Sequence, residues 1–450
     1  MRQKNSISIR LALLLFLLIE NSAYAQSWMK AYYLPGGMVG YGVVEDTGDG
    51  FTIVGSRALL NQNKIRMIQV DYNGDTIKMK DHCGFEGSAI TKDYFGGYYV
   101  TGIASSCIPN VQYDIEVLHV DSNLNELWKI AYGNTGIDKG KRIINDYDSG
   151  FVMACYNTSY PDLIHIDKHG SQIWSMNYGL SGLTSIKRNL EGGYFICGNA
   201  GGGFVDPLYV AKIDSIGNVI WYKTFYNPNG EIFTDIEPMA DSGVVAVTDY
   251  NGLYKLSSTG DSLWMKAINV PAQRLITSND GNILIAGGGM SLTKVDTAGN
   301  ILWSYLYWIY PAVVGVLGYD GWDVIETSDG GFLLVGEIDS LGTKNLYVVK
   351  TDSIGQVTTG LNNYEPSFSA YCYPQPFREQ TTITLSNEQS IGAPNKWILS
   401  VYNIQGILLR EEPVSGFPYI FKRNNLTSGI YLYTITQAGK IPITGKMVVE

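Results

Sequence analysis

The sequence predicts an all-β protein, a seven-bladed β-propeller followed by a small C-terminal β-sandwich. Three observations carry that prediction. Two short signals alternate along residues 28–357, each appearing seven times. Gly (51) and Tyr (32) are abundant, and Gly, Asp and Asn cluster between short alternating runs, as expected for strands joined by tight turns. Beyond the first 25 residues no long segment has helical periodicity.

The first signal is a Gly-rich hairpin leading into an apolar run. It reads GDGFTIVG at 48–55, FGGYYVTG at 95–102, DSGFVMAC at 148–155, EGGYFICG at 191–198, DSGVVAVT at 241–248, DGNILIAG at 280–287 and DGGFLLVG at 329–336. Gly supplies the positive φ that such tight turns require. The second signal opens on Asp71, Asp121, Asp167, Asp214, Ser257, Asp296 or Asp352. The Asp caps the turn, and a Gly three positions on takes its left-handed position in most copies. Seven positions after the opening residue stands Trp128, Trp174, Trp221, Trp264 or Trp303; the first copy has Lys78 there, and the last runs out into QVTTG.

Each unit therefore reads as four strands, in the third unit about 141–146, 150–156, 162–167 and 172–178. Four-stranded units recurring roughly every 40–55 residues are propeller blades, which bury their faces only by stacking. The segment SWMKAYY at 27–33 is a Trp strand with no unit of its own, while the seventh unit lacks one. It is expected beside residues 346–351 as the outermost strand of that blade, removing the ring's exposed edges. The Trp residues then read as wedges between blades.

The first 25 residues read as a signal peptide. Arg2, Lys4 and Arg10 precede the apolar run from Leu11 to Ile19, and Ala23-Tyr24-Ala25 is a small-x-small cleavage site. That run is too short for a bilayer, which needs about 20 apolar residues, and no other segment qualifies. Net charge is −10, and about −12 once the leader is removed. With no basic block, a nucleic-acid partner is not expected.

Little points to catalysis. The four His residues make no metal-binding motif, and DTGDG at 46–50 has Arg57 where a calcium loop needs Glu. No catalytic motif, metal site or cofactor site is expected, so no cofactor is assigned. Five Cys in an exported chain invite pairing. Cys83 and Cys107 flank the open end of one predicted hairpin and form the candidate disulfide; Cys155 and Cys197 read as small core residues, and Cys372 as unpaired. The connection at 305–322 is the longest between blades, and its Tyr307, Trp308, Tyr310 and Trp322 form a candidate stacking platform for a glycan or peptide.

Two resemblances follow from these motifs. The Asp-x-x-Gly-x-x-x-Trp segment resembles the tryptophan-docking motif of pyrroloquinoline-quinone-type propellers. Those usually have eight blades, and their dehydrogenases often carry adjacent Cys residues. Seven units and no adjacent Cys pair leave the likeness supporting the fold and not the cofactor. The C-terminal region has YPQPF at 373–377, LSVYNIQGILL at 399–409 and LTSGIYLYTITQAGKIPITGKMVVE at 426–450. Tyr373, Pro374, Pro376 and Phe377, the turn Gly406, then Gly429, Tyr431 and Lys446 match in order the type A C-terminal sorting domain of the type IX secretion system of Bacteroidetes-type bacteria, with Gln375 where Asn is usual. The resemblance implies handling by that machinery and export across the outer membrane to the cell surface or medium.

The expected layout is a signal peptide (1–25), a propeller (26–355), a linker (356–370) and a sorting β-sandwich (371–450). The expected function is a secreted or surface binding or scaffold propeller of undetermined ligand. The alternative is a secreted enzyme of polysaccharide lyase, glycosidase or quinoprotein type with its site on the propeller face. The sorting assignment makes a direct prediction. In a host with the secretion machinery, deletion of 367–450 leaves a folded propeller in the periplasm, and fusion of 367–450 to another signal-bearing protein sends that protein outside. Fractionation of both strains checks this; efficient export of the truncated chain would overturn it.

Overall fold

The structure is a computed structural model. It describes residues 27–357 and 370–450 apart from 49, 58–63, 105–112, 134–135, 148–149, 157–161, 181, 201–205, 228, 269, 308–315, 341–342, 386–396, 404–406 and 437–442. The predicted signal peptide therefore lies outside the described residues. These residues form strands and turns and no helix, in two compact units divided between Thr359 and Gly360.

The first unit is a ring of seven four-stranded antiparallel sheets. Six are consecutive in sequence. Their innermost strands are Val39–Asp46, Glu86–Lys92, Lys139–Asn145, Gly182–Arg188, Phe233–Pro238 and Ala272–Thr277, and we number the blades one to six in that order. Blade seven takes Val316–Glu326, Phe332–Ser340 and Thr343–Thr351 from one end of the unit and Trp28–Tyr32 from the other. Trp28 pairs with Lys350 and Tyr32 with Leu346, the register expected for the displaced Trp strand. Each innermost strand packs on the next, and that of blade seven packs on that of blade one, which closes the ring around a central channel.

The Trp motif is what joins one blade to the next. A Cβ placed on Gly74, Gly260, Gly299 or Gly355 would run into the ring of Trp28, Trp221, Trp264 or Trp303 of the preceding blade; on Gly170 it would meet Ile130 first, with Trp128 at 3.0 Å, and on Gly217 it would meet Met176 at 2.6 Å, with Trp174 in ordinary contact at 3.4 Å. The bare backbone of a left-handed Gly is therefore the seat for each indole. Trp28 and Trp221 also donate their Nε1 protons to the carbonyls of Tyr72 and Ser258, at 2.8 and 2.9 Å. Four residues after the Trp, Tyr32, Tyr178 and Tyr307 donate their hydroxyls to the same Gly carbonyls at 2.7–2.8 Å, and Tyr132 does so to Gly170.

The exception supports the rule. Blade one has Lys78 in place of Trp, and the facing turn in blade two has Leu124 in place of Gly. Leu124 is fully buried at φ +61°, so an aliphatic side chain fills the space that an indole fills elsewhere. A second repeated pair lies inside blades two to seven. The third-strand residue opposite each Trp is a cation reaching the acid of the hairpin turn: Lys212 to Glu191 at 2.6 Å, Lys255 to Asp241 at 2.7 Å, Lys294 to Asp280 at 2.6 Å, Lys350 to Asp329 at 2.9 Å. His119 and His165 take that place in blades two and three, against Asp93 at 2.9 Å and Asp146 at 3.2 Å, which accounts for two of the four His residues.

The second unit packs a three-stranded sheet (Ala370–Tyr373, Gln380–Leu385, Tyr419–Lys422) and a four-stranded sheet (Leu408–Val414, Trp397–Asn403, Gly429–Thr436, Ile443–Val449) around one core that includes Phe377, Trp397, Phe421, Tyr433 and Met447.

Cys155 and Cys197 are fully buried free thiols, and Cys372 is free. Cys83 is disulfide-bonded, while its proposed partner Cys107 lies outside the described residues. Peptide mapping without reductant is expected to recover a Cys83–Cys107 linked pair, whose reduction costs about 3 kcal/mol for a loop of roughly 25 residues; two unlinked peptides would overturn the pairing. The docking of Trp on Gly makes a second prediction. Gly260 and Gly281 both have φ near +80°, but a Cβ on Gly260 meets Trp221 at 2.8 Å and one on Gly281 meets nothing within 4 Å. Urea denaturation is expected to show Gly281→Ala losing about 1 kcal/mol and Gly260→Ala about 2–4 kcal/mol. Equal losses would show that the indole seat carries no energy.

Candidate functional site

The innermost strands share one irregularity. Each slips by one residue against its neighbour at the same place, between Gly40 and Gly42, Gly87 and Ala89, Gly140 and Arg142, Leu183 and Ser185, Phe233 and Asp235, Ala272 and Arg274, and Gly321 and Asp323. The bulged residues are Tyr41, Ser88, Lys141, Thr184, Thr234, Gln273 and Trp322, one per blade. A β-bulge re-aims the side chain it carries. All seven line a single cavity of about 250 Å³ at the mouth of the central channel, joined by Glu86, Lys139, Arg142, Ile232 and Asp249.

The cavity has an aromatic side and a cationic side. The rings of Tyr41 and Trp322, in blades one and seven, meet edge to face with centroids 5.4 Å apart. Lys139 forms an ion pair with Glu86 and lies 5.8 Å from the centroid of Tyr41. Glu86 also accepts from the Ser88 hydroxyl at 3.0 Å. Burial pushes the Lys141 ammonium down to about 8, helped by the nearby charges of Lys139 and Arg142. Burial pushes Asp249 upward, although its carboxylate accepts from the Ile232 N–H at 2.8 Å.

One residue deeper, the channel carries a charged belt that ties blades together. Asp235 of blade five is fully buried; it accepts from the Ser185 hydroxyl of blade four and from the Leu275 N–H of blade six at 2.8 Å. Arg274 of blade six reaches Asp235 at 3.3 Å and Asp323 of blade seven at 2.8 Å. Asp323 accepts in turn from the Val43 N–H of blade one at 3.0 Å. Burial alone would raise the Asp235 carboxyl, but Arg274, Lys187 and Arg142 outweigh it and hold the group below its usual range. Lys187 bonds to Glu237 at 2.6 Å. These carboxylates are engaged with cations and backbone, which is a structural use. Among the described residues no group of three or more His, Cys, Asp or Glu is placed to hold a metal ion.

Of the four residues of the predicted aromatic platform, Tyr307 and Trp322 are among the described residues. Tyr307 is 5 % exposed, and its hydroxyl bonds to Gly355; it is the Tyr of the Trp-x-x-x-Tyr docking pattern that begins at Trp303, so its ring belongs between blades and not on a surface. Trp322 is half-buried in the next blade's innermost strand and faces the channel cavity. Trp308 and Tyr310 lie outside the described residues. The other six bulged residues escaped the sequence reading. The available signal was a residue two positions before an aliphatic at the head of each unit (Val43, Ile90, Ile143, Ile186, Ile236, Leu275, Val324), but alternation by itself says nothing about a bulge.

In the C-terminal unit the motif residues divide between core and surface. Phe377 and Tyr431 are buried, and the Tyr431 hydroxyl donates to the Thr427 carbonyl at 2.7 Å. Tyr373 is 76 % exposed, and Pro374, Pro376 and Lys446 are also exposed. Gln375 accepts from the Val448 N–H at 3.2 Å, pinning the YPQPF segment to the strand Ile443–Val449 that contains Gly445 and Lys446. Gly429 heads the central strand opposite Val449, and Gly406 lies outside the described residues.

Comparison with known proteins agrees with both halves. Residues 371–450 match the family described as the secretion system C-terminal sorting domain, and residues 163–318 match the family of outer membrane protein assembly factor BamB. The extracellular domain of the putative hybrid two-component system BT3049 from B. thetaiotaomicron has a TM-score of 0.50 at 10% identity, covering 94% of this chain and 57% of that one. PorZ, a surface component of the type IX secretion system of Porphyromonas gingivalis, gives 0.45 at 11%, covering 89% and 58%. BamB from Moraxella catarrhalis gives 0.43 at 12%, covering 74% and 98%. The chain thus spans little more than half the length of the first and second of these structures. No curated protein matches the chain.

The chain is a β-propeller protein carrying a type IX secretion sorting domain. That domain marks it for export to the cell surface or the extracellular space. No helix among the described residues is long and apolar enough to cross a membrane.

Proposed function

We propose that the exported propeller is a binding module and that its ligand, a glycan or a peptide, enters the mouth of the central channel. One observation carries this reading. The repeat keeps Asp, Gly, Trp and Tyr at the positions that hold blades together, but its seven bulged positions hold Tyr41, Ser88, Lys141, Thr184, Thr234, Gln273 and Trp322. A periodic scaffold thus carries a non-periodic lining, and concave sites with a few converging polar groups are where small ligands bind. The ion-paired state of Asp235, Asp323 and Glu237 favours binding over acid–base catalysis at this mouth.

The test is a screen of the full chain against glycan and peptide arrays, followed by titration of each hit with Tyr41→Ala and Trp322→Ala. Aromatic residues dominate binding energy at such sites, so each variant is expected to weaken a true ligand about tenfold or more while circular dichroism stays unchanged. Wild-type affinity of both variants for every detected ligand would overturn the placement of the site.

A further inference from the structure

The cavity at the channel mouth has more hydrogen-bond donors than the protein satisfies. The Lys141 ammonium makes no hydrogen bond or ion pair among the described residues; it lies 5.8 Å from the centroid of the Tyr156 ring. Arg142 makes one long bond, from Nη1 to the Lys141 carbonyl at 3.5 Å, and its buried Nε has no partner. The buried Nε1 of Trp322 has no acceptor either. The carboxylates of the same cavity are already occupied, Glu86 by Lys139 and Ser88, Asp249 by the Ile232 N–H. A buried donor without an acceptor is costly, so two such donors beside an unpaired, half-buried ammonium point to an oxygen ligand from outside the protein.

The contrast with Arg274 sharpens this. Arg274 occupies in blade six the place that Arg142 occupies in blade three, and it has Asp235 on one side and Asp323 on the other. Arg142 feels the charges of Asp235 and Asp323 but forms an ion pair with neither, and burial together with the Arg274 charge outweighs them and pushes its guanidinium down. Overall composition does not explain the cations, because the chain carries a net charge of −10.

We infer that the channel mouth recognises an anionic sugar residue, a uronate or a sulfated sugar of an acidic polysaccharide. Its oxyanion pairs with Lys141 and Arg142, and its ring lies against Trp322 and Tyr41. This rests on the reading of the mouth as the binding site. The fork of a guanidinium matches the oxygens of a carboxylate or sulfate, and aromatic faces suit the C–H face of a sugar ring. Besides the Glu86–Lys139 ion pair and Asp249, the rest of the lining is hydroxyl and amide, from Ser88, Thr184, Thr234 and Gln273, with Ile232 as its one aliphatic side chain. That set fits ring hydroxyls better than the apolar side chains of a peptide. A volume of about 250 Å³ has room for a sugar residue.

The experiment titrates the full chain with polygalacturonate, dextran sulfate, unsubstituted dextran and polyglutamate. Polygalacturonate supplies carboxylates on sugar, dextran sulfate sulfates on sugar, dextran neither, and polyglutamate carboxylates without sugar. Binding to one or both of the sugar polyanions and to neither control is expected, weakening as salt is raised. The polyanion that binds identifies the group as carboxylate or sulfate. Lys141→Met and Arg142→Gln are each expected to weaken it about tenfold or more, and Lys141→Arg, which keeps the charge, to restore most of the affinity. Equal binding of dextran or polyglutamate, no binding of either sugar polyanion, or unchanged affinity in Lys141→Met and Arg142→Gln would overturn the inference. If Trp322→Ala weakens a ligand that the two cation variants leave untouched, the mouth remains the site and only the anion is wrong. If none of the three variants changes the affinity of a bound polysaccharide, both readings fall.

Discussion

The seating of an indole on a bare glycine backbone is the contact on which the propeller depends. A blade is a twisted sheet of four strands that buries neither face by itself, so it needs a neighbour placed at a repeatable distance. The Trp of one blade and the Gly of the next set that distance six times, and the Tyr four residues later adds a hydrogen bond to the same Gly at four of the junctions. The seventh junction is built another way, with Lys78 in place of the indole and a buried Leu124 in place of the glycine.

Closure follows from the same contact. Trp28 completes blade seven by pairing with Lys350 and then seats on Gly74 of blade one, so a single strand both finishes a sheet and joins the two ends of the ring. With the ring closed, seven innermost strands are forced to face one axis. Their first residues crowd there, and a bulge in each strand turns one side chain into the open space. The charged belt below the mouth holds that arrangement: Asp235 and Asp323 accept backbone N–H groups from neighbouring blades, and Arg274 neutralises both. Removing a buried charge from such a belt leaves its partners uncompensated, which is why it reads as framework.

Division of labour within the chain is equally physical. The C-terminal unit has its own core, around Phe377, Trp397 and Tyr433, and its own pair of sheets. A sorting signal that is read as a folded surface needs that independence from the cargo it carries. Tyr373, Pro374, Pro376 and Lys446 are the motif residues left on that surface, whereas Phe377 and Tyr431 shape it from inside.

What the sequence by itself determined was everything written in local periodicity. Seven hairpins, the Asp turns, the Trp wedges, the displaced strand at 27–33 and the sorting motifs all repeat or cluster within a few residues, and the physics of turns and alternation translates them directly. Tyr307 shows the limit of that reading. Its place in an aromatic run suggested a surface, yet its spacing of four from Trp303 put it between blades. Only the tertiary structure decided the site. Tyr41 and Trp322 are some 280 residues apart in sequence and meet because the ring closes. Lys141 and Arg142 are left without an ion pair because Glu86, Asp235 and Asp323 are engaged by Lys139, Arg274 and the N–H groups of neighbouring blades. Closure and charge pairing are properties of the whole ring, and no window of the sequence contains them.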